Sequence, residues 1–186
     1  DFTGSVIAFN KTHFDKCGVD HPKDGWTMND LRDMAVKLTR DANDKSPTDS
    51  GFDPQNIKVY GVQVGNPYFF GALIKMFGGK PWSLDGRTCT FSEANALQCF
   101  VFFNDLACKD HAVMGPGGAA SGTDPFASGQ AAMTIEGEWQ LALYKDIKDF
   151  DWDCAAWPNG PKENWQYGGS DALGIAKDSK YIEAAW

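Results

Sequence analysis

The sequence predicts an α/β fold in which a mixed sheet is flanked by helices. Apolar residues recur at helical spacing after Thr27, and apolar and polar residues alternate over Ile57–Val64. Segments of these two kinds follow one another along the chain, as in layered α/β domains. With 186 residues, 42% of them hydrophobic, the chain has the size of one domain and can build a core.

The N-terminal part is predicted to begin with a strand over 4–10, followed by a short helix that ends at Gly18. The clearest helix begins at Thr27, which can cap it, and Asp30 can return the hydrogen bond as a capping box. Residues 41–56 are rich in Asp, Asn, Ser, Pro and Gly, so we expect an exposed loop there.

The remaining elements continue the alternation. We predict a helix over 68–77, a long helix over 92–106 capped by Ser92, and a buried strand over 131–135. A helix over 138–146 follows, and the Gly-rich segment 167–176 is strand-like. No internal repeat is visible, so the pattern predicts one layered unit.

The net charge of −8 excludes some classes of partner. A negative surface repels nucleic-acid phosphates and anionic membranes, so we expect no nucleic-acid partner. We also expect a monomer. No apolar run is long enough to span a bilayer, and no signal peptide is visible. Because the sequence starts directly in a strand pattern and stops within a helical one, we expect an excised piece of a longer protein.

The cysteines and histidines do not indicate a metal, a cofactor or a redox site. The five cysteines include no CxxC, and the odd count leaves at least one free thiol. Cys99 and Cys108, on one predicted helix, would lie roughly 13 Å apart, too far for a disulfide. The three histidines have no metal-ligand spacing. We therefore expect neither metal nor cofactor.

Several segments follow one another in the order and at the spacing typical of a known protein family. Each segment alone is a weak signal, but the series covers nearly the whole chain. The segments in the first half are 6–20 (VIAFNKTHFDKCGVD, similar to the family's YNKDLF…AGLD), 25–31 (GWTMNDL, similar to TWDEL) and 60–62 (YGV, similar to the YG strand). Those in the second half are 126–133 (FASGQAAM, similar to F..GKAAM), 136–139 (EGEW, similar to DGPW), 157–161 (WPNGP, similar to PLPKGP), 167–175 (YGGSDALGI, similar to GGSGLAI) and 183–186 (EAAW). Together they resemble the maltose-binding-protein-like family 1 extracellular solute-binding proteins. The sequence departs from the family at Glu138, where Pro is usual, at Trp157 and at Cys17.

The resemblance implies one lobe of a type II periplasmic-binding-protein fold, whose two lobes close on a sugar. Residues 1–167 would form the second, C-terminal lobe, and 168–186 a crossover segment that returns toward the missing first lobe. The implied function is the extracellular carbohydrate-binding component of an ABC sugar uptake transporter, with no enzyme activity. Its ligand would be a mono- or oligosaccharide, and its partner the membrane permease. The protein would be extracellular or periplasmic, including as a lipoprotein anchored through a missing N-terminus.

The candidate binding residues combine aromatic surface with hydrogen-bonding groups, as recognition of a pyranose requires. Trp139 follows a turn and opens a helix, and the family's equivalent Trp commonly stacks on sugar. Tyr68 resembles the aromatic residue that follows the family's YG strand. Asn66 lies beside it at the strand end, where α/β sheets bind ligands.

A second group lies in the Gly-rich segment. Gly169 and Ser170 permit close approach of the backbone, and Asp171 could accept bonds from two neighbouring hydroxyls. The opposing interpretation for Asp171 is a turn or helix cap.

Two other functions remain open from the residues alone. Glu136 and Glu138 could be the paired carboxylates of a glycoside-active enzyme, since residues two apart on a strand share one face at about 7 Å. An acid directly before Trp139 also complements a helix start, which favours the binding protein. The other alternative is a binder of polyamines or amino acids with the same fold, which would need carboxylates around an aromatic cage.

Overall fold

The computed structural model describes residues 2–114 and 123–185. Within these ranges it confirms the predicted α/β fold, a mixed sheet flanked by helices. The elements are β1 (Phe2–Asn10), α1 (Lys11–Cys17), α2 (Met28–Leu38), β2 (Arg40–Asp41), β3 (Ile57–Val64), a 3₁₀ helix (Pro67–Phe69), α3 (Phe70–Met76), α4 (Ala94–Cys108), β4 (Ala131–Gly137), a 3₁₀ helix (Glu138–Gln140), α5 (Leu141–Tyr144), β5 (Trp152–Ala155), β6 (Gly168–Ser170) and α6 (Ile182–Ala185).

The described sheet has the strand order β2-β3-β4-β1-β5, and β6 also pairs with β1. β3 runs parallel to β4, whereas β1 runs antiparallel to β4, β5 and β6. The C-terminal ends of β3 and β4 therefore meet the start of β1 and its partner β6. We call this edge the glycine end of the sheet, after Gly4, Gly65, Gly137 and Gly169.

The two faces of the sheet carry two cores. The larger one packs α2, α3 and α4 against one face, with Ile7, Leu31 and Met133 fully buried. The smaller core on the other face is built around Phe126 and Tyr144, whose ring centroids are 4.8 Å apart. Alternation along β1 sends Ile7 to one core and Ala8 to the other.

Helix α2 begins as the sequence predicts. The Thr27 hydroxyl accepts a hydrogen bond from the Asp30 amide at 3.2 Å, and the Asp30 carboxylate accepts one from the Thr27 amide at 2.8 Å. The helix then packs closely on β3 at Gly61, where a Cβ would lie 1.9 Å from the carbonyl oxygen of Ala35. Only glycine fits this helix–strand contact. The predicted end of α1 is also confirmed, with Gly18 in the left-handed region at φ 65°.

Three predicted helices have different boundaries. The helix predicted over 68–77 is a 3₁₀ turn (Pro67–Phe69) followed by α3 (Phe70–Met76). The long helix is not capped by Ser92: the Leu97 amide bonds to the Glu93 carbonyl at 2.8 Å, so Glu93 is the cap residue and α4 begins at Ala94. The predicted helix 138–146 is a 3₁₀ turn followed by α5, which ends at Tyr144. The Ile147 amide bonds to the Tyr144 carbonyl, which turns the chain there.

The loop 41–56 is more ordered than its composition predicts. Asp41 is buried, and its carboxylate accepts hydrogen bonds from the amides of Asn43, Lys45 and Asp53 at 2.8–2.9 Å. Burial would raise the pKa of Asp41, but these hydrogen bonds together outweigh it and lower the pKa. A buried carboxylate, and not only turn-forming residues, therefore fixes this loop.

All five cysteines are free thiols, with Cys99 buried within α4. Burial raises the pKa of Cys99 to about 12, which leaves it an unreactive thiol at neutral pH. Among the helices of the described ranges, none has both the length and the apolar character needed to cross a bilayer.

Candidate functional site

The glycine end of the sheet is built so that side chains can lie over the backbone. A Cβ on Gly137 would lie 2.1 Å from the indole ring of Trp139, and one on Gly65 would lie 1.6 Å from the Glu136 carboxylate. Each glycine therefore leaves space that a neighbouring side chain occupies, the Trp139 ring at Gly137 and the Glu136 carboxylate at Gly65. Gly65 is held beside β4 by its amide, which donates to the Ile135 carbonyl at 3.0 Å.

Trp139 forms an accessible aromatic platform at this edge. It is 40% exposed, and its ring stacks on Phe69 with centroids 6.3 Å apart and planes at 15°. Phe69 is fully buried and also contacts the rings of Tyr167 and Trp157 at 5.3 and 5.9 Å. The indole is thus supported from below by a packed aromatic cluster while part of it faces solvent.

The segment after β3 brings the predicted residues Asn66 and Tyr68 to the same edge. Asn66 directly follows Gly65, and its carbonyl accepts a hydrogen bond from the Phe69 amide at 3.2 Å, which closes the turn into the 3₁₀ helix. The backbone of Tyr68 lies in that 3₁₀ helix, whereas its side chain lies outside the described part of the structure.

The predicted residues of the Gly-rich segment lie next to β1. Gly169 is opposite Thr3 and Ser170 is opposite Phe2 in the β1–β6 ladder. A Cβ on Gly169 would lie 3.0 Å from the Tyr167 hydroxyl and 3.3 Å from that of Thr3. The Gly-rich strand therefore lies within reach of two hydroxyl groups. Asp171 follows the strand and is exposed.

Glu136 and Glu138 differ in environment. Glu136 is 5% exposed, and its carboxylate accepts the Gly137 amide at 3.0 Å. Burial, with a smaller contribution from the charge of Asp124, raises the pKa of Glu136 against the effect of that hydrogen bond. Glu138 is exposed, and its carboxylate would lie 3.7 Å from a Cβ on Gly4.

The two glutamates lie on the opposite sheet face from the Trp139 ring. Successive Cβ directions alternate across a strand, so Glu136 points away from the side on which the indole covers Gly137. The Glu136 carboxylate also packs against the backbone of Gly65. The arrangement therefore offers an aromatic platform on one face and two carboxylates on the other, at one edge.

The structure brings together every predicted site residue that it describes, and adds some that the sequence did not single out. Phe69 and Tyr167 support the platform, and Thr3 lies opposite Gly169. The sequence signal for Phe69 is its place in the aromatic run directly after Tyr68, and Tyr167 begins the YGGS motif.

In residues 2–114 and 123–185, no group of three or more His, Cys, Asp or Glu side chains could hold a metal ion.

Comparison with known proteins identifies relatives of the whole chain. The profile of the family described as "Bacterial extracellular solute-binding protein" matches residues 1–186. A comparison with curated protein sequences gives no significant match.

Solved structures show the same fold. An ABC substrate-binding protein from Listeria monocytogenes in complex with cycloalternan superposes with a TM-score of 0.78 at 26% identity, covering 99% of this chain and 44% of that one. An ABC transporter solute-binding protein from Thermotoga lettingae bound with alpha-D-tagatose gives 0.74 at 25%, with 100% and 46% covered. The Bdellovibrio bacteriovorus maltose/maltodextrin-binding domain bound to maltotriose gives 0.67 at 21%, with 99% and 46% covered. The chain spans less than half the length of these relatives.

Proposed function

The chain belongs to the bacterial extracellular solute-binding proteins, and we propose that it forms most of one lobe of the carbohydrate-binding component of an ABC sugar uptake transporter. Residues 1–167 would be the second, C-terminal lobe, and 168–186 a crossover segment toward a first lobe outside this sequence. The match to less than half of each relative supports this division. Sugars bound to two relatives at 25–26% identity support the ligand class, a mono- or oligosaccharide.

The observation that carries the proposal is the exposed Trp139 ring at the glycine end, beside hydroxyl and backbone groups. A pyranose presents apolar C–H faces and a rim of hydroxyls, so it needs a flat aromatic surface next to hydrogen-bonding groups. Trp139 supplies the surface, while Asn66, Gly169, Ser170 and Asp171 supply donors and acceptors at the same edge. Tyr68 is proposed as a second aromatic contact on the basis of sequence.

Exposed apolar side chains in the last segment support the crossover. Leu173 is fully exposed, Tyr181 is 75% exposed and Ile182 is 47% exposed. Exposed apolar side chains that lie close together in one segment are typical of a surface that contacts another part of a protein. In our proposal that part is the first lobe.

The proposed location and partners follow from the family. The protein would be an extracellular or periplasmic monomer. A lipoprotein anchor at an N-terminus outside this sequence would attach it to the membrane. It would deliver sugar to the membrane permease of the transporter. A net charge of −8 does not favour nucleic acid as a partner.

We propose further that the protein is not an enzyme. Glu136 is buried against Gly65 and lies on the opposite face from Trp139, so a sugar stacked on the indole would not place its glycosidic bond between the two glutamates. The test is to incubate the full-length protein with its best-bound oligosaccharide and to separate the products by chromatography. Cleavage that Glu136→Gln abolishes would overturn the binding-protein proposal.

The central experiment compares two tryptophans of equal exposure in the full-length, two-lobe protein. A thermal-shift screen of mono- and oligosaccharides, with polyamines and amino acids included, identifies the ligand class, because ligand stabilises the folded state by mass action. Calorimetry then follows Trp139→Ala and the control Trp165→Ala. Trp165 is 41% exposed, but its ring already contacts the Lys75 ammonium in the last turn of α3 and its Nε1 donates to the Glu163 carboxylate.

We expect Trp139→Ala to weaken sugar binding by about 1–3 kcal/mol, by analogy with stacking of bases on aromatic rings. Trp165→Ala should leave the affinity within about twofold, since it removes no ligand contact. Equal loss in both variants, or no loss in either, would contradict the assigned site. Stabilisation by polyamines or amino acids alone would favour the alternative ligand class.

The lobe assignment has its own test. A single lobe supplies one wall of the cleft, and each ligand hydrogen bond left to water loses about 1 kcal/mol. We therefore expect the 186-residue chain to bind the sugar only at millimolar concentration, and the full-length protein to bind it orders of magnitude more tightly. Equal affinity in calorimetry would show that the site does not lie between two lobes.

A further inference from the structure

Tyr167 joins the aromatic platform to the strand β6. Its ring meets the Phe69 ring edge-on, with centroids 5.3 Å apart and planes at 83°, and Phe69 in turn stacks on the Trp139 ring. The Tyr167 hydroxyl lies 3.0 Å from the position of a Cβ on Gly169, so the side chain extends along β6. One side chain therefore contacts both the ring beneath the platform and the strand that carries candidate binding residues.

The backbone of Tyr167 is fixed on β1. Its carbonyl accepts a hydrogen bond from the hydroxyl of Ser5 at 2.9 Å, and Ser5 is fully buried. The next residue, Gly168, pairs with Gly4 in the β1–β6 ladder. The ring of Tyr167 therefore starts from an anchored main chain, which favours one orientation against Phe69.

The Phe69 ring contacts three other aromatic rings. Trp139 stacks on its face with planes at 15°, whereas Tyr167 and Trp157 meet it edge-on at 83° and 74°. Phe69 is fully buried, so close packing leaves its ring little freedom to turn. Aromatic pairs prefer offset-stacked and edge-to-face arrangements, and the edge-on neighbours thus fix the plane on which the indole lies. Loss of the Tyr167 ring would free one edge of Phe69 and, with it, the indole.

We propose that Tyr167 is a positioning residue of the sugar site, which acts through Phe69 to fix the plane of the Trp139 ring relative to β6. This inference rests on the proposed function, in which β6 begins the crossover segment. A pyranose carries its C–H face and its hydroxyls on one ring, so it needs the aromatic surface and the hydrogen-bonding groups of β6 at a fixed separation. The aromatic contacts from Trp139 to Tyr167 hold that separation, and Tyr167 itself does not need to touch the ligand.

The experiment is a double-mutant cycle in the full-length protein, measured by titration calorimetry. The probes are glucose, maltose, maltotriose and D-tagatose, and the sugar that binds most tightly is used throughout. The variants are Tyr167→Leu, Trp139→Ala and the double variant, together with Tyr167→Phe, which keeps the ring and removes the hydroxyl. Circular dichroism establishes that each variant is folded, and Tyr167→Met, with its more adaptable side chain, replaces Tyr167→Leu if that variant is not.

The matched control is Phe150→Leu. Like Tyr167, Phe150 is partly buried and meets a fully buried ring edge-on: its centroid is 5.7 Å from that of Phe126, with planes at 87°. This pair belongs to the smaller core, on the other face of the sheet from the larger core that contains Phe69. The control therefore removes a similar contact that has no connection to the platform.

We expect Tyr167→Leu to weaken sugar binding about tenfold, equivalent to about 1.4 kcal/mol, and Phe150→Leu to change it by less than about twofold. Tyr167→Phe, which restores the ring, should recover the wild-type affinity to within about twofold. In the Trp139→Ala background, Tyr167→Leu should cost less than about twofold, because it acts through a ring that is already absent. A residue that only stabilised the fold would lower the unfolding temperature without this loss of affinity.

Three results would overturn the inference while the proposed function stands. Unchanged affinity in Tyr167→Leu would show that the platform does not depend on Tyr167. Equal losses in the wild-type and Trp139→Ala backgrounds would show that Tyr167 acts independently of the platform. A loss in Tyr167→Phe as large as that in Tyr167→Leu would show that the hydroxyl, and not the ring, matters. If none of the four sugars binds, the inference and the proposed function fail together.

Discussion

Gly61 lies on β3 and Gly65 directly follows that strand. The space left by the missing Cβ is used differently at the two glycines. At Gly61 the missing Cβ is replaced by backbone, the carbonyl group of Ala35 in α2. At Gly65 it is replaced by a side chain, the carboxylate of Glu136. The contact at Gly61 packs α2 closely on the sheet, whereas the space at Gly65 holds a carboxylate at the sheet edge. Glycine therefore permits close packing of two backbones inside the core and placement of a side chain over the backbone at the edge.

The largest expected effect is on the packing glycine. In Gly61→Ala the new methyl group would overlap the backbone of α2, which cannot rotate away as a side chain can. Overpacking of this kind destabilises by about 1–3 kcal/mol, and we expect the upper end of that range. Urea unfolding of the 186-residue chain measures the loss.

Gly71→Ala is the control for this substitution. Gly71 lies in α3, and nothing stands within 4 Å of its Cβ position. Alanine in place of glycine within a helix stabilises by roughly 0.5–1 kcal/mol, so this variant should move in the opposite direction. Equal stability of the two variants would show that α2 and β3 are not in close contact at Gly61.

At the boundary, a glycine substitution should affect binding more than folding. Gly137 has φ −85° and ψ 152°, a conformation open to alanine, so Gly137→Ala adds no backbone strain. Its methyl group would displace the Trp139 ring from Phe69. We expect sugar affinity in the full-length protein to fall about tenfold, or about 1.4 kcal/mol, by calorimetry. Retained affinity would mean that the ring position does not matter to the ligand.

A smaller effect concerns the cap of the helix that covers Gly61. Thr27→Ala removes the two hydrogen bonds of the Thr27 hydroxyl, keeps the bond from the Thr27 amide to the Asp30 carboxylate, and should cost about 1 kcal/mol of the free energy of unfolding. The bond that the hydroxyl donates to the Asp30 carboxylate lowers the pKa of Asp30, so its contribution is present above the unfolded pKa of about 3.9 and is lost as the pH falls through the lower folded value. Urea titrations at neutral and acidic pH should therefore show the difference between wild type and variant shrinking in acid. A difference that stays constant would dissociate Asp30 from the cap.

The smallest effect tests the carboxylate above Gly65. Burial raises the folded pKa of Glu136, so the wild type loses stability as the pH rises from its unfolded pKa of about 4.3 through the folded value. Glu136→Gln does not titrate. In thermal unfolding at pH 4, 6 and 8, the Tm of the variant relative to that of the wild type should increase as the pH increases. The opposite trend would indicate that Glu136 is stabilised as the anion.

Local signals explain which parts of the fold could be predicted from the sequence. The capping box of α2 depends on residues three apart, and the end of α1 depends on Gly18 alone, so both were readable. The start of α4 was misplaced because Ser92 is the better cap residue by type, whereas the hydrogen bond from the Leu97 amide to the Glu93 carbonyl begins the helix one residue later. Composition likewise could not indicate that Asp41 would be buried at the centre of its loop.

The sequence indicates which residues lie at the candidate site better than it indicates the contacts that hold them there. Motif order indicated Trp139, Asn66 and the segment 169–171, and the register of the strands brings them to one edge. The supporting role of Phe69 depends on rings from three distant segments meeting in space. The burial of Glu136 depends on the backbone of Gly65. Neither relationship has a local sequence pattern.

The position of β1 in the sheet has a consequence for how the chain folds. Phe2–Asn10 precedes the other described strands in this sequence, yet its partners β4, β5 and β6 all come from residue 131 onward. Ser5 and Tyr167, which bond to each other, are 162 residues apart in sequence. Contacts of such long range require closure of large loops and slow the search for the native state. β1 therefore cannot complete its pairing until residues 131–170 are available, and its edges stay open to other chains until then.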